Sequence, residues 1–161
     1  MWKTGHSLIK SKLAESESLL AGEMSGHIFF KDRWYGFDDA IYAAARLAEI
    51  LSEKTVSSDE LFEQFPKSIN TPELKIYVDE DEKFSLMQRL IQDADFKEAE
   101  INTLDGLRVH FKEGWGLVRP SNTTPCLVLR FEAESEIFLE NIQNQFKEFL
   151  LATEPTLKLP F

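Results

Sequence analysis

The sequence predicts two units: a helical unit with short strands, followed by an α+β unit with a mainly antiparallel sheet. The chain has 161 residues, enough for one ordinary domain or two small ones. Apolar residues make up 43% and include 13 Phe, so the chain can fill a core and is not disordered. Two prolines, Pro66 and Pro72, remove backbone donors and favour extended geometry before them. We therefore predict units at residues 1–68 and 74–161, joined by a linker at 69–73.

Helices are predicted at both ends of the first unit. A run of helix formers predicts a helix from residue 7 to about residue 20, and an apolar repeat predicts a second helix from 38 to about 51. Between them, residues 21–36 combine glycines with three consecutive apolar residues, which predicts short strands and an exposed loop. A Ser-x-x-Glu capping box at 57–60 predicts a short helix through Phe65.

The second unit is predicted to run strand, helix, three strands, helix. The strands are indicated at 74–78, at 107–111 after the Asp105-Gly106 turn, and at 126–131, where apolar residues alternate or cluster. The acidic run 79–82 is typical of a helix start. Strands joined by short turns and covered by helices on one face indicate an α+β unit. The predicted apolar stripes of the two helices are Phe84, Met87, Ile91 and Ala94, and Phe138, Ile142, Phe146 and Phe149.

Charge and cysteine content exclude several classes of protein. Twenty-eight acidic against 18 basic residues give a net charge of −10, which disfavours binding to nucleic acid or to a membrane surface. No segment approaches the ~20 apolar residues of a membrane span, and the N-terminus does not have the pattern of a signal peptide. The single cysteine, Cys126, cannot form an internal disulfide or a CxxC pair. We expect a cytoplasmic protein in which Cys126 is a small buried residue rather than a nucleophile.

A glycine-rich segment at 22–27 is the first candidate site. Its two glycines let the backbone turn tightly and let a ligand approach closely. The carboxylate of Glu23 can accept hydrogen bonds from two neighbouring hydroxyls, as a sugar presents them, and Ser25 adds a small donor and acceptor. His27 can titrate near neutral pH. The alternative is an ordinary glycine-rich turn with a surface glutamate and an incidental histidine, and chemistry alone favours it.

A polar segment between two strands, 119–125, is the second candidate site. Arg119 offers a planar fork that matches phosphate, and the Ser, Asn and Thr residues after it add short donors. Pro120 and Pro125 bracket the loop and limit its freedom. The alternative is a polar turn, because the same residue types are common in turns.

Three further groups have weaker signals. His6 precedes a helix and could contact a phosphate there together with Lys3, but simple capping of the helix by Thr4 or Ser7 is the commoner explanation of such a segment. The acidic run 79–82 lacks the spacing of a calcium loop and is more typical of a solvated helix start than of a metal site. His110 alternates with apolar strand residues, so we expect a surface or sheet-covering side chain.

Taken together, these segments resemble the C-terminal part of the bacterial phosphomannomutase/phosphoglucomutase branch of the α-D-phosphohexomutase family. The resemblance runs in order over nearly the whole chain. It is carried by residues 2–7 (WKTGHS), 22–30 (GEMSGHIFF), 33–39 (RWYGFDD) and 116–125 (GLVRPSNTTP). The methionine at position 24 of the first candidate loop resembles the residue found in the mannose/glucose branch of the family rather than in the glucosamine branch.

The resemblance implies a four-domain enzyme that moves a phosphoryl group between O1 and O6 of a hexose through a bisphosphorylated intermediate. A phosphoserine in the first domain and Mg²⁺ in the second domain take part. Residues 1–68 would be an α/β fragment, the C-terminal portion of an incomplete third domain, and 74–161 the fourth domain, with a TATA-binding-protein-like fold. The implied substrate-binding residues fall into three sets: Glu23, Met24, Ser25, Gly26 and His27 for the sugar; His6 for the sugar or a phosphate; and Arg119, Pro120, Ser121, Asn122 and Thr123 for the non-reacting phosphate.

Within that set, Glu23 and Ser25 would hold O3 and O4 of the sugar in either orientation, before and after the bisphosphorylated intermediate reorients, and His27 would be a candidate for proton transfer. This chain has no phosphoserine loop and no Asp-Gly-Asp-x-Asp metal loop, so we expect it to be inactive alone, with Mg²⁺ bound outside it. The expected partner is a mannose or glucose phosphate. A separately encoded N-terminal half would be a second partner if the enzyme is split between two genes; a fragment or a truncated sequence of one longer chain is equally compatible with the residues. The alternatives are a non-catalytic phosphosugar-binding or interaction module and a purely structural α+β protein.

Overall fold

The computed structural model describes all 161 residues and divides the chain into two compact units, Met1–Pro66 and Lys67–Phe161. Residues 69–73, which were predicted to form a linker, are instead part of the second unit. Ile69–Asn70 form a strand (β3) of the second unit, and Thr71 is buried. Thr71 donates its N–H to the carbonyl of Phe131 and accepts the Phe131 N–H with its hydroxyl at 3.1 Å, so backbone pairing continues past the strand.

The first unit contains three helices and one hairpin. The predicted short strands form this hairpin, with Leu20 opposite Phe30. The first helix ends sooner than predicted, because the backbone becomes extended at Ser16 and Leu20 pairs in the hairpin instead. The elements are α1 His6–Glu15, β1 Leu20–Gly22, β2 Ile28–Phe30, α2 Ala40–Ser52 and α3 Ser58–Phe62.

Apolar side chains of the first unit are poorly covered. Its core consists of Ile9, Leu13 and Phe29, with Ala21 against them. Helix α2 has no buried residue, and Ile41 at its start is 85% exposed. The only sheet of the unit is the two-stranded β1–β2 hairpin. The unit therefore has the architecture of the expected α/β fragment, and its helix α2 leaves apolar side chains exposed.

Two of the three helices of this unit, α2 and α3, begin with a side-chain cap. Asp39 caps α2 by accepting the Tyr42 N–H at 2.9 Å, and it also accepts the Trp34 indole N–H at 3.2 Å. The predicted capping box of Ser57 and Glu60 is present at the start of α3. Asp39 thus fixes the segment between β2 and α2, which includes its neighbour Asp38.

The second unit is a six-stranded, fully antiparallel sheet with two helices. Strand β8 is central: β3 and β4 pair with one side of it, and β7, β6 and β5 follow in order on the other side. Besides β3, the elements are β4 Leu74–Tyr77, α4 Lys83–Asp93, β5 Glu100–Asn102, β6 Leu107–His110, β7 Gly114–Pro120, β8 Cys126–Ala133 and α5 Glu136–Thr153.

The core of this unit lies between the sheet and the helices, as predicted for an α+β fold. Alternate residues of β8, such as Leu129 and Phe131, are buried with Phe146 of α5 and Leu90 of α4. Two strands, β3 and β5, were not in the predicted order of elements because they are only two and three residues long. No helix of the chain is long and apolar enough to cross a membrane.

The predicted apolar stripes of the two helices need a partial correction. Phe84 is 55% exposed and Phe138 is also exposed, whereas Leu86 and Leu90 take the buried face of α4. The acidic run forms a turn in which the N–H groups of residues 82 and 83 donate to the carbonyl of Asp79. Helix α4 therefore begins at Lys83, whose side chain is on the buried face.

Candidate functional site

The segment 22–27 forms the turn of the β1–β2 hairpin. The Glu23 N–H donates to the His27 carbonyl at 2.9 Å, and the Gly26 N–H donates to the Glu23 carbonyl at 3.0 Å. Gly26 has φ +90, a conformation that side chains with a Cβ rarely adopt. The turn leaves Met24, Ser25 and Gly26 exposed at its tip, with Met24 68% exposed. These three predicted site residues are therefore presented to solvent on a short, hydrogen-bonded loop.

Glu23 connects this turn to the start of α1. Its Oε1 accepts the Gly5 N–H at 2.7 Å, and Gly5 precedes α1 with φ 131. Neither Thr4 nor Ser7 caps the helix, because Gly5 occupies the cap position and makes no side-chain capping bond. A carboxylate has about four acceptor positions, so the bond to Gly5 leaves acceptor capacity for hydroxyl donors. The structure thus brings the His6 segment and the turn together, as the interpretation of both as one site requires.

His27 forms an ion pair with Asp38. Nδ1 of His27 lies 2.5 Å from Oδ2 of Asp38, and Oδ1 of Asp38 accepts the Ile28 N–H at 3.3 Å. The hydrogen bond and charge of Asp38, with a smaller contribution from Glu23, raise the pKa of His27 above its usual value. An imidazole oriented by a carboxylate is suited to hold and transfer a proton near neutral pH.

Asp38 was missed as a site residue by the sequence reasoning. In the sequence it stands beside Asp39 at a helix start, where the dipole favours negative charge, and the 33–39 segment of the resemblance assigned neither residue a role in the site. Asp39 does cap the helix, but Asp38 points to the hairpin instead. A signal was present, because two acidic residues precede one helix and a single cap uses only one of them.

Arg119 lies within a strand rather than beyond one. Strand β7 continues to Pro120, with Arg119 opposite Val128 and Pro120 opposite Leu127 of β8, so the loop begins at Ser121, two residues later than predicted. The guanidinium donates to the Pro120 carbonyl at 3.4 Å. Gly106 has φ +85, and a Cβ there would collide with Arg119. The glycine of the predicted turn therefore also makes room for the arginine.

Ser121 shapes the loop from inside. It is 6% exposed, and its Oγ accepts the N–H groups of Thr123 at 3.3 Å and Thr124 at 3.2 Å. Its own N–H donates to the Cys126 carbonyl at 2.9 Å. Asn122 and Thr123 are exposed at the tip. The structure thus separates the predicted donors into a buried residue that folds the loop and two that face outward.

Lys83 is a second residue that the sequence reasoning missed. Its side chain is 2% exposed, and its Nζ donates to the Thr124 carbonyl at 3.1 Å and to both Glu80 oxygens at 2.9 and 3.0 Å. The signal in the sequence was a lysine one turn before Leu86 and Met87 on the apolar face of α4. Glu80 of the acidic run therefore pairs with the lysine that donates to the 121–125 loop. No group of three or more His, Cys, Asp or Glu side chains is arranged to hold a metal ion.

His110 and Cys126 take structural positions. Arg108 donates from Nε to Nε2 of His110 at 2.8 Å and lies over the Trp115 ring. Partial burial and the charge of Arg108 lower the pKa of His110, which is opposite to the shift of His27. Cys126 is fully buried and its Sγ lies 3.1 Å from Oγ1 of Thr124, so the expectation of a small buried residue is confirmed.

Comparison with protein families accounts for both units. Residues 1–69 match the model described as phosphoglucomutase/phosphomannomutase, alpha/beta/alpha domain III, and residues 72–149 match the C-terminal domain of the same family. The chain belongs to the phosphoglucomutase/phosphomannomutase family. The resemblance found in the four sequence segments is therefore confirmed.

Individual relatives extend this match over the whole chain. The phosphomannomutase/phosphoglucomutases of Pseudomonas putida and Pseudomonas aeruginosa are 60% and 58% identical over 161 residues. A phosphoglucomutase of Neisseria meningitidis is 53% identical over 162 residues. The chain spans 35% of the length of these curated relatives.

A solved structure confirms the fold. A phosphoglucomutase/phosphomannomutase family protein from Burkholderia thailandensis superposes with a TM-score of 0.92 at 51% identity. The match covers 100% of this chain and 34% of that one. The third-domain fragment and the antiparallel fourth domain are thus the folds of this family.

Proposed function

We propose that this chain supplies the sugar- and phosphate-binding part of a phosphohexomutase that interconverts hexose 1-phosphate and hexose 6-phosphate. The observation that carries the proposal is the match to named mutases over the full 161 residues, at 60% identity, which includes both loops. The chemistry of each loop, taken separately, agrees with it. The hairpin presents acceptors for hydroxyls, and the second loop presents a guanidinium and short donors for a phosphate.

In this proposal the hairpin binds the hydroxyls of the sugar. Glu23 accepts two neighbouring hydroxyls, O3 and O4 in the family's pattern, while Ser25 donates or accepts beside it. His6, Met24 and Gly26 complete the contacts from the same turn and the adjoining helix start. Because Glu23 also binds the Gly5 N–H, a sugar bound there is held by a carboxylate that is already oriented.

His27 is proposed to transfer a proton at the reacting oxygen. Its raised pKa keeps a larger fraction of the imidazole protonated near neutral pH, which suits a general acid. Asp38 occupies Nδ1, so Nε2 is the nitrogen that would face the substrate oxygen. The carboxylate thereby holds the ring in one orientation and stabilises its charged form.

The second loop is proposed to bind the phosphate that does not react. Arg119 offers two parallel N–H donors to phosphate oxygens, and Asn122 and Thr123 supply donors from the exposed tip. Pro120 has no N–H, so it contributes contact and rigidity rather than a hydrogen bond. Ser121 keeps the tip in shape through its bonds to two backbone N–H groups.

Phosphoryl transfer itself needs components that the described residues do not contain. The family's phosphoserine would donate and recover the phosphoryl group, and its Mg²⁺ would offset charge in the transition state. We therefore propose that this chain is inactive alone and acts with an N-terminal part carrying both.

Reconstitution tests this proposal. The chain is mixed with a separately produced N-terminal part, and interconversion of mannose 1-phosphate and mannose 6-phosphate is measured with Mg²⁺ present. Recovered activity that falls in the His27→Asn variant, but not in the matched exposed-site variant Asn141→Ala, supports the proposal. If both parts are folded and the mixture stays inactive but still binds the phosphosugar, the chain would instead be a non-catalytic binding module.

A further inference from the structure

Lys83 is one of only three polar or charged residues that are buried in this chain, with Thr71 and Ser121. Thr71 pairs with the backbone of the central strand. The other two serve the segment 121–125, which we call the phosphate loop: Ser121 belongs to it and bonds within it, and Lys83 donates to it from helix α4. Burying an ammonium group is unfavourable unless hydrogen bonds replace its water. A lysine on the apolar face of a helix therefore suggests a contact for which an apolar residue would not serve.

The ammonium group of Lys83 is fully bonded. Its three N–H donors meet three acceptor oxygens: two of the Glu80 carboxylate and the carbonyl of Thr124. Glu80 is mostly exposed and lies in the turn before α4. The lysine thus joins the start of one helix to a loop 41 residues further along the chain.

The Thr124 carbonyl is one of the points at which the phosphate loop is held, beside the bond of the Ser121 N–H to Cys126 and that of the Val78 N–H to the Pro125 carbonyl. The next residue is Pro125, so the peptide group that contains this carbonyl has no N–H of its own for anchoring. The carbonyl accepts from Lys83 and from the Cys126 N–H, while the Thr124 N–H donates to Ser121 Oγ. A displacement of Thr124 would therefore disturb its bond to Ser121 Oγ. Because the same Oγ accepts the Thr123 N–H, the tip of the loop would be disturbed as well.

We propose that Lys83 is a positioning residue for the phosphate loop, which sets the affinity of that loop for a phosphate group. This inference rests on the proposed function of the loop. Lys83 acts through geometry and not through its charge, because the carboxylate of Glu80 balances that charge at hydrogen-bond distance. A loop held in place before binding loses less conformational freedom when the ligand arrives.

Three variants of the 161-residue chain separate position from charge. Lys83→Met removes the ammonium and keeps an apolar side chain of similar length. We expect it to weaken binding of mannose 1-phosphate about five- to tenfold, because the loop must then be ordered on binding. Lys147→Met removes the same charge from an exposed position on α5, and we expect its affinity to stay within about twofold of the unaltered chain. Glu80→Gln unmasks the charge of Lys83 while the bond to Thr124 remains, and we expect it not to increase affinity.

The readouts distinguish the possible errors. Affinity is measured from amide shifts at 121–124, and the melting temperature is recorded in parallel. Tighter binding by Glu80→Gln, or equal losses in both lysine variants, would show that charge rather than position acts, and would overturn the inference. Unchanged affinity in a folded Lys83→Met chain would also overturn it while leaving the loop's proposed function intact. Absence of phosphosugar binding at 121–124 in the unaltered chain would overturn both.

A measurement on the unaltered chain covers the case in which Lys83→Met does not fold. The buried ammonium of Lys83 gives a ¹⁵Nζ–¹H signal that can be followed during titration with mannose 1-phosphate. We expect this signal to shift with the same Kd as the Thr123 and Thr124 amides, while the backbone amide of Lys147 stays in place. A Lys83 signal that does not move at saturation would show that the ammonium is not coupled to the loop.

Discussion

Neutralising Glu23 is the sharpest single perturbation of the proposed sugar site. Glu23→Gln keeps the shape of the side chain but replaces a carboxylate by an amide. A hydrogen bond to a charged group contributes about 1.5–3 kcal/mol and a neutral one about 0.5–1.5 kcal/mol, so each bond loses ~1 kcal/mol. If the carboxylate accepts two sugar hydroxyls, the transition state loses about 2 kcal/mol, which corresponds to roughly thirtyfold in kcat/KM.

The same substitution has a second, separable effect. The Gly5 N–H bond at 2.7 Å also becomes a neutral hydrogen bond, which lowers the free energy of unfolding by ~1 kcal/mol. This effect appears as a lower melting temperature of the chain without any ligand. The stability change measures the bond to α1, and the kinetic change measures the bonds to the sugar.

The assay is kcat/KM of the reconstituted enzyme for mannose 1-phosphate and mannose 6-phosphate, with Glu17→Gln as the matched control. Glu17 is exposed and lies outside the hairpin turn. We expect both substrates to lose activity in Glu23→Gln and neither to lose it in the control. Unchanged kcat/KM for both substrates would remove Glu23 from the site, and a loss for one substrate alone would refute binding of the sugar in both orientations.

Four other predictions have defined outcomes. Asp38→Asn should lower the pKa of His27 towards its usual value, so the activity that depends on protonated His27 is lost at lower pH; an unshifted pH–rate profile would exclude this role. The same ion pair stabilises the fold below the unfolded pKa of 6.5, and this contribution is lost as pH rises through the raised pKa; urea unfolding at several pH values checks it. Arg119→Lys keeps the charge but loses the fork, so phosphate affinity should fall by about 1–2 kcal/mol in titrations followed by amide shifts, whereas a long-range charge effect predicts no change. The exposed apolar face of α2 should cause self-association, measured by light scattering, and binding of a hydrophobic dye, measured by fluorescence. A monomer that binds no dye would contradict this prediction.

The sequence predicted best the elements whose signals are local. The alternation at 107–111 predicted β6, the apolar run from Cys126 predicted the central strand, and the Ser57–Glu60 spacing predicted a capping box that the structure contains. Each of these signals depends on residues within a few positions of one another. Periodicity and capping chemistry were therefore enough to place them.

The features that escaped prediction depend on distant contacts. Leu20 continues a helix by propensity, but it pairs with Phe30 across the hairpin. Strand β5 is three residues long and exists because Ile101 lies opposite Val109. Tertiary pairing of this kind overrides local preference.

Site residues followed the same division. The resemblance named the residues at the tips of both loops, because they lie within contiguous motifs. Asp38 and Lys83 contact those loops from 11 and 41 residues away, so the sequence could mark them as unusual residues but only the folded chain shows what they contact. Ser121 was correctly placed in the second loop, but its burial and its bonds within the loop required the structure.

Binding of a phosphosugar by the chain itself tests the central claim most directly. The ¹⁵N-labelled chain is titrated with mannose 1-phosphate and, separately, with inorganic phosphate, while all backbone amide shifts are followed. We predict that phosphate shifts amides at 121–124, and that mannose 1-phosphate shifts these and also amides of the hairpin turn at 23–27. The net charge of −10 opposes anions, so any binding must come from local geometry. Shifts scattered over the surface, or none in either loop, would show that these segments are ordinary polar turns.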